Sequence, residues 1–326
     1  VTGNLNLGPA VRTFNIARGS AAADMMIAAT ISGGPGSGTA LTKTGAGILV
    51  LSGANTYTGN TLVNQGTLSV AAGGSLASAS VAVASGATLK VDGTLSPTTA
   101  VSATGNVVFP GNTTGAAVTR TAGALTIGAG VTVQLGASSY SKTPAILSLA
   151  SLAFGDGTAK LDVSNDELIT GGSTAANLRT VIVGSQLFSS AAGPGFGIGS
   201  IDVSGGKAEA RFTLLGDANL DGAVDVGDLG VLATSYGITS SNIGWSQGDS
   251  NYSGGVDVGD LGSLATNYGS SLTTAPAVVS DASEAMVAPI AQALAEVSSP
   301  TAVPEPGCLG ILATIGGVAA SRKRRR

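Results

Sequence analysis

The sequence predicts a mainly β protein with a parallel β-solenoid-like body, a small α-helical calcium-binding module and a short C-terminal membrane-type helix. Three observations support this fold class. Gly supplies 50 of the 326 residues while charged residues make up only 10%, a composition that favours short strands and tight turns. Two near-identical acidic loops, beginning at residues 217 and 249, each precede a helical apolar pattern. Residues 303–326 join an apolar run to a basic end.

Residues 1–212 form the predicted body, in which short apolar segments follow one another between Gly, Asn, Ser and Thr turns. We identify no helical pattern between them, which favours stacked β rungs or a sandwich. The strand candidates are GILVLSG (47–53), GTLSVAA (66–72), VAVAS (81–85), ATLKVDG (87–93), ALTIG (124–128), VTVQLG (131–136), AKLDVS (159–164), LRTVIVG (178–184) and EARFTLLG (209–216).

The segment LTKTGAGILVLSGANTYTGNTLVNQGTLSV, residues 41–70, resembles the autotransporter-associated β-strand repeat. This resemblance implies a right-handed parallel β-helix of the kind found in large surface proteins. Asn55, Thr56, Thr58 and Asn60 at its centre are open to two interpretations, a sugar-binding row or turn and ladder residues. We favour the second, because Asn and Thr suit such positions on structural grounds.

The two acidic loops place oxygen-bearing side chains at the spacing of a twelve-residue calcium loop. Counted from the first Asp, ligands are expected at positions 1, 3, 5, 7, 9 and 12, with a sharply turning Gly at position 6 and a backbone carbonyl at position 7. The predicted ligands for two calcium ions are Asp217, Asn219, Asp221, Ala223, Asp225 and Asp228 in the first loop, and Asp249, Asn251, Ser253, Gly255, Asp257 and Asp260 in the second. Ser253 replaces a carboxylate, so we expect the second loop to bind calcium more weakly. The alternative to calcium binding is that the two loops are only Asp-, Asn- and Gly-rich surface turns.

Each loop leads into one short predicted helix. An apolar face recurs at i, i+3, i+4 and i+7 in both repeats, and a Gly follows where a left-handed C-cap would end the helix. The face residues are Leu229, Leu232, Ala233 and Tyr236, then Leu261, Leu264, Ala265 and Tyr268, and the C-cap glycines are Gly237 and Gly269.

The loop-and-helix pattern of residues 213–270 resembles a type I dockerin. The resemblance implies two antiparallel helices, two calcium ions and docking to a cohesin-like domain on another protein. Loop positions 10 and 11 help to select the partner in that family, and here they are Val226, Gly227, Val258 and Gly259. These differ from the hydroxyl pair often found in cellulosomal members. A purely architectural cap on the body remains the alternative.

An enzymatic function of the body is the rival reading, because many β-helices act on polysaccharides. Such chemistry needs clustered carboxylates or a tuned base, and the sequence contains no His. Asp162, Asp166 and Glu167 are the only dense acidic group of the body, and we interpret them as a solvated turn. The sequence therefore predicts a non-enzyme, with a polysaccharide-active or glycan-binding β-helix kept as the alternative.

The C-terminal residues predict export. Residues 271–302 read as a flexible Ala-, Ser- and Pro-rich linker. The order Pro304-Glu305-Pro306, an apolar run and five terminal basic residues resembles a PEP-CTERM sorting signal. This resemblance implies export to the cell surface or matrix, processing by an exosortase-type protease, and membrane contact only through this segment. Without its basic end the chain is acidic, which disfavours nucleic acid as a partner.

Overall fold

The computed structural model describes residues 3–33, 40–139 and 143–272, and these residues are mainly β. The strands of this part of the chain are β1 Asn4–Asn6, β2 Arg12–Asn15, β3 Met25–Ile27, β4 Thr30–Ser32, β5 Leu41–Thr44, β6 Ile48–Leu51, β7 Ala54–Asn55, β8 Thr61–Val63, β9 Thr67–Val70, β10 Ser75–Leu76, β11 Ser80–Val83, β12 Thr88–Val91, β13 Thr94–Leu95, β14 Ala100–Ala103, β15 Asn106–Phe109, β16 Val118–Ile127, β17 Thr132–Leu135, β18 Ala145–Phe154, β19 Lys160–Asp162, β20 Glu167–Gly171, β21 Leu187–Phe188, β22 Phe196–Val203 and β23 Lys207–Leu214. Its α-helices are α1 Ala175–Val183, α2 Val226–Ser235 and α3 Val258–Asn267, with a 3-10 turn at Trp245–Gln247.

Successive segments of the chain stack in parallel, so that each strand pairs with the next strand of the same face. One sheet runs β2-β5-β8-β11-β14-β16-β18-β20-β23-β22, and a second runs β21-β19-β17-β15-β12-β9-β6-β3. Only the last pairings of the first sheet, β20 with β23 and β23 with β22, are antiparallel. The parallel, solenoid-like stacking of the predicted body is therefore present, whereas its right-handed sense stays a prediction. We call β1–β23 with α1 the β body.

Aliphatic side chains form columns inside the β body. Leu49 pairs with Leu68, Leu68 with Leu89, and Leu89 with Val107, and all four are fully buried. Because the strands are parallel and in register, each rung places its inward side chain on that of the previous rung. Burying such a side chain contributes about 1.5–3 kcal/mol relative to leaving it exposed, so the columns are the main source of stability of the body.

Residues 41–70 show why their glycines and Asn recur. Gly66 has φ +66°, and a Cβ there would collide with the carbonyl oxygens of Gly45 and Gly47 on the previous rung. Asn55 is buried and donates to the carbonyls of Gly53 and Ser75, at 2.9 Å each, while accepting from Ile31 N at 3.1 Å. Its predicted ladder role is confirmed.

The predicted strand LRTVIVG, residues 178–184, is wrong: residues 178–183 belong to α1, and Gly184 is its C-cap. Thr174 caps the helix, and its hydroxyl accepts from Asn177 N at 3.2 Å. The Asp202 carboxylate also accepts from Ala175 N, at 2.7 Å. Leu178 is buried in the core while Val183 is exposed, so β-branched residues are tolerated on the outer side of a capped, packed helix. The expectation of a body without helices fails for the same reason.

Residues 217–272 follow directly on β23 and contain both acidic loops, α2 and α3; we call them the loop–helix module. They share a second core with the end of the β body, and β23 itself runs past the predicted boundary at residue 212. The buried members of this core are Phe212, Leu214, Val224, Leu232, Ile243, Val256, Leu264 and Leu272. None of the helices that the structure describes is long and apolar enough to cross a membrane. The predicted linker, residues 271–302, is wrong at its start, because Leu272 is buried in the second core and its N donates to the Gly222 carbonyl at 2.7 Å. The rest of the linker and the C-terminal helix with Pro304, Glu305 and Pro306 lie outside the described residues.

Candidate calcium-binding loops

The two acidic loops and their helices interlock. Gly237 N, just after α2, donates to the Val256 carbonyl in the second loop at 2.8 Å, and Gly269 N, just after α3, donates to the Val224 carbonyl in the first loop at 2.8 Å. Both glycines have left-handed φ angles, +81° and +79°, as the C-cap prediction required. Since each helix end is tied to the other loop, the two repeats form one folding unit.

The apolar face predicted for each helix is only partly buried. Leu232 and Leu264 enter the second core and Leu229 and Leu261 pack partly against it. The remaining face residues, Ala233, Ala265, Tyr236 and Tyr268, are exposed, so the prediction is wrong for them. On α2 the polar Ser235 is buried instead of these residues, and on α3 the polar Asn267 is buried. Asn267 accounts for this exchange, because its Nδ2 donates to the carbonyls of Gly195 and Leu215 on the β body at 3.0 and 2.7 Å.

The first residue of each loop is a buried carboxylate that closes the loop on itself. Asp217 accepts from Gly222 N at 3.0 Å and from Asp221 N at 3.2 Å. Asp249 accepts from Gly254 N at 3.0 Å and from Ser253 N at 2.9 Å. Gly222 and Gly254, at position 6, have φ of +86° and +92°, the left-handed conformation expected there.

Burial and repulsion make these two carboxylates hard to ionise. Burial first, with a contribution from the nearby carboxylates of Asp228 and Asp221, raises the pKa of Asp217 to about 6. Burial and the carboxylate of Asp260 raise the pKa of Asp249. A buried carboxylate without a counter-charge costs free energy, and a bound cation would remove that cost.

The acids at positions 9 and 12 cap the helices. Asp225 accepts from Gly227 N at 2.7 Å, and Asp228 accepts from Asp225 N at 2.9 Å. The second loop repeats this arrangement with Asp257, Gly259 and Asp260, at 2.7 and 3.1 Å. These four acids therefore have a structural role that holds without any ion. They cap α2 at Val226 and α3 at Val258, so each helix begins inside its predicted loop and not after it.

The side chains at positions 3 and 5 form short bonds within each loop. Asn219 Oδ1 accepts from Asp221 N and Asp221 Oδ1 from Ala223 N, at 2.9 Å each, while Ser253 Oγ donates to the Gly255 carbonyl at 3.2 Å. In the described part of the chain, no group of three or more His, Cys, Asp or Glu side chains is already gathered around one point as a metal site. The donors are nonetheless all oxygens on a loop backbone of the right shape, which fits calcium.

Two valines mark the outer surface of the loop–helix module. Val226 is 71% exposed and Val258 is 72% exposed, and the adjoining Gly227 and Gly259 are exposed as well. The four residues predicted to contact a partner thus all lie at the surface. Equivalent positions of the two repeats present the same pair of residues, so the surface repeats the internal symmetry of the sequence.

A junction of three side chains fixes the loop–helix module to the β body: Trp245, Tyr252 and Asn267. Trp245 is buried, donates from Nε1 to the Asp217 carbonyl at 2.5 Å, and packs on Gly197 and Gly199 of β22. Tyr252 Oη donates to the Ile198 carbonyl at 2.9 Å. No sequence pattern predicted a role for these residues, although the single Trp of the chain, placed between two loops, was an available signal.

The prediction that Asp162, Asp166 and Glu167 form a solvated turn is wrong, because all three are buried. Asp162 Oδ1 accepts from Ser164 N at 2.8 Å and Ser190 N at 2.9 Å, and Asp166 Oδ1 accepts from Ser138 Oγ and Ala145 N. The bonds from Ser190, Ser138 and Ala145 join neighbouring rungs, whereas the bond from Ser164 lies within one turn. None of the three acids lines the two surface grooves that we find near α1, of about 490 and 200 Å³.

Buried acids give the β body a predictable pH dependence. Burial raises the pKa of Asp166 to about 6, so between about pH 4 and pH 6 the folded state holds a proton that the unfolded state has released. Stability from this group is therefore lost as pH rises through that window. We expect the free energy of unfolding of Asp166→Asn, relative to the parent, to rise by on the order of 1–3 kcal/mol from pH 4 to pH 7. Urea unfolding at several pH values measures this difference.

Asp156→Asn is the matched control for the pH experiment. Asp156 is exposed, and bonds from the Thr158 hydroxyl and amide lower its pKa. The stabilising contribution of Asp156 is lost as the pH falls through its lowered pKa. The free energy of unfolding of Asp156→Asn relative to the parent should therefore change with pH in the opposite direction, and only below about pH 4. A difference for Asp166→Asn that stays flat between pH 4 and pH 7 contradicts the assignment.

Comparison with known proteins identifies the repeat. Residues 41–70 match the family model of the Passenger-associated-transport-repeat. The Adhesin BmaC autotransporter of Brucella suis biovar 1 (strain 1330) is 31% identical over 208 residues, which is 61% of this chain and 6% of that protein. No solved structure matches the chain. The chain therefore carries an autotransporter-associated repeat and is similar to a small part of an adhesin autotransporter.

Proposed function

We propose that this chain belongs to an exported bacterial surface protein with an adhesive or structural role. The observation that carries the proposal is the parallel stack of in-register rungs. This stack contains a segment that matches the Passenger-associated-transport-repeat, and the chain is similar to part of a protein named as an adhesin. Such a stack is a rigid scaffold whose inward side chains are aliphatic and whose buried polar groups bond between rungs. The body supplies shape and surface, and we propose no catalytic activity for it.

Surface exposure and adhesion can be tested on intact cells of the source organism. We expect an added protease to remove the protein from living cells, and deletion of its gene to reduce attachment to a surface or matrix. A cytoplasmic marker that survives the protease is the control for cell lysis. Protection of the protein in intact cells, with degradation only after lysis, contradicts surface display.

The polysaccharide-active alternative is not favoured, because Asp162 and Asp166 are buried, accept hydrogen bonds from other rungs, and line neither groove near α1. Glycan binding without catalysis remains compatible with the exposed Thr56, Thr58 and Asn60. A panel of polysaccharides tested for depolymerisation and for binding separates the two alternatives.

We further propose that the loop–helix module binds two calcium ions through its twelve predicted ligands. Support comes from the oxygen donors at the calcium spacing, the left-handed Gly222 and Gly254, and the buried carboxylates at positions 1 and 12. Bound calcium would neutralise these four buried carboxylates, of which Asp249 alone forms an ion pair within the described part of the chain, with Arg179. Asp217 and Asp249 close the loops from inside, while Asp228 and Asp260 connect each loop to its helix.

We propose that a cohesin-like partner binds the surface formed by Val226, Gly227, Val258 and Gly259, which we call the valine surface. We expect Val226→Asp combined with Val258→Asp to weaken docking by about 30-fold or more, since a charge at the centre of an apolar contact removes a hot spot. Either single change should cost about twofold, because the equivalent repeat can still dock. The measurement is a calcium-dependent pull-down from the source organism's secretome, with captured proteins identified by mass spectrometry.

Val183→Asp is the matched control for the docking experiment. Val183 is 60% exposed but lies on α1 of the β body, so its replacement should leave docking unchanged. Capture that does not depend on calcium, or that survives the double change, contradicts the proposal. The architectural alternative, in which the module only caps the body, is favoured by the Trp245 junction and predicts no cohesin-bearing protein among those captured.

The C-terminal sorting signal stays a proposal on sequence grounds. We propose that Pro304, Glu305 and Pro306 are read by an exosortase-type protease after the apolar segment has entered the inner membrane. Replacement of this motif should leave the unprocessed chain in the membrane fraction, where its higher mass is seen by immunoblotting.

A further inference from the structure

Arg179 links the β body to the second acidic loop. It lies on α1, and its guanidinium Nη2 is 3.5 Å from Asp249 Oδ2, while Nη1 donates to the Ser241 carbonyl at 2.8 Å. The guanidinium also lies over the ring of Tyr252, 6.0 Å from the centroid. The Arg179 side chain is only 18% exposed and that of Asp249 is fully buried, so the pair is held in place and shielded from solvent.

Asp249 occupies the first ligand position of the second loop, and a cation there would use the same carboxylate. Because like charges repel strongly where solvent is excluded, a guanidinium beside this carboxylate opposes the entry of a divalent cation. In its absence the same guanidinium compensates the buried charge. Arg179 of the β body therefore already supplies a positive charge to the second loop.

The first loop has no such partner among the described residues, whose ion pairs do not include any of its carboxylates. The nearest equivalent is Arg211 on β23, whose Nη1 donates to the Leu220 carbonyl at 3.1 Å. Its charge acts on Glu167 and Glu209, whose pKa values it lowers against the effect of burial. Arg211 thus supports the backbone of the first loop without neutralising a ligand.

We propose that Arg179 is a resident counter-ion of the second loop, which holds Asp249 in the ion-free state and lowers the calcium affinity of that loop. This inference rests on the proposed calcium function and names the residue that regulates it. Arg179 makes the calcium affinities of the two loops unequal, in addition to the effect of Ser253, which stands where the first loop has Asp221. The first loop fills at low calcium, whereas the second keeps its closed form until calcium displaces the guanidinium.

Calorimetric titration of the full chain tests the proposal. Asp217→Asn is introduced first, so that the heat reports on the second loop. In this background we expect Arg179→Met to raise the calcium affinity by about tenfold or more, because it removes the opposing charge and keeps the aliphatic stem. Arg179→Lys retains the charge and should stay within about threefold of the parent. In chelator, amide exchange at Ser253 and Gly254 should be faster in Arg179→Met, because Asp249 has lost its compensation.

Lys90→Met is the matched control, since it removes the cation of an ion pair with Asp92 at a distant site of the β body. It should leave calcium affinity unchanged. An affinity that Arg179→Met does not raise, with calcium still binding, overturns the proposal and leaves the calcium function intact. Absence of calcium binding in every variant overturns the calcium function, and the affinity claim falls with it. Arg179→Gln serves as the second neutral variant where Arg179→Met does not fold.

Discussion

Replacement of Trp245 by alanine is expected to lower the free energy of unfolding of the loop–helix module by about 3–5 kcal/mol. The indole is buried between the module and β22, and its loss removes both the packing on Gly197 and Gly199 and the hydrogen bond to the Asp217 carbonyl. Because Asp217 is the first residue of the first loop, we expect this loop to be destabilised as well. Calorimetric thermal unfolding and limited proteolysis near residue 216 measure the effect.

Three further variants separate packing from bonding at the junction. Trp245→Phe keeps an aromatic ring and loses the Nε1 bond, so it should cost less than Trp245→Ala. Gly199→Ala approaches from the β body, where a Cβ would collide with the Trp245 ring. Gly230→Ala, on the open side of α2 with no atom within 4 Å of the added Cβ, should be neutral or stabilising by up to about 1 kcal/mol. Equal stability of Trp245→Ala and the parent would show that the junction is not a structural link.

The junction changes how the loop–helix module is understood. A docking domain on a flexible tether acts independently of what precedes it, whereas here β23 ends at Leu214 and the first loop begins at Asp217. Tyr252 and Asn267 reach back to backbone carbonyls of the body. Docking at the valine surface would therefore also fix the position of the β body. A conformational change in the loops would alter the last rung of the stack through the junction.

Features that local chemistry determines were predictable from the sequence. The left-handed Gly222 and Gly254, the presence of α2 and α3, and the short strands between turns all follow from single-residue preferences and spacing. The autotransporter-associated repeat was recognisable because steric contacts between rungs demand glycine at fixed positions, as at Gly66.

Features that depend on contacts distant in the sequence were not predictable. The TVIV run of α1 has strand propensity, and only its capping by Thr174 and its packing on the last hairpin make it helical. Asp166 reads as a surface acid until the rung containing Ser138 is placed beside it. Arg179 and Asp249 are separated by 70 residues, so no local pattern could have paired them.

On the proposed calcium function, removal of calcium is expected to destabilise the loop–helix module by about as much as the replacement of Trp245 by alanine. An ion present at about 100 times its dissociation constant contributes about 2.7 kcal/mol, so two sites together contribute about 5 kcal/mol. We expect excess chelator to lower the unfolding temperature of the module while the aliphatic columns of the β body unfold as before. Trp245 is the only Trp of the chain, so its fluorescence reports on the junction between the module and the β body.

The control for calcium removal must separate the two loops from nonspecific effects of ions. Magnesium at the same concentration should restore little stability, since it demands six close, nearly octahedral ligands and gives up its waters reluctantly. A chain with Asp217→Asn and Asp249→Asn should unfold at the same temperature in calcium and in chelator. Asp217→Asn removes a desolvation cost, whereas Asp249→Asn leaves the guanidinium of Arg179 without its carboxylate partner. The stability of this variant is therefore compared with itself, in calcium and in chelator. Equal unfolding of the parent with and without chelator would mean that the Asp residues serve only as loop closures and helix caps.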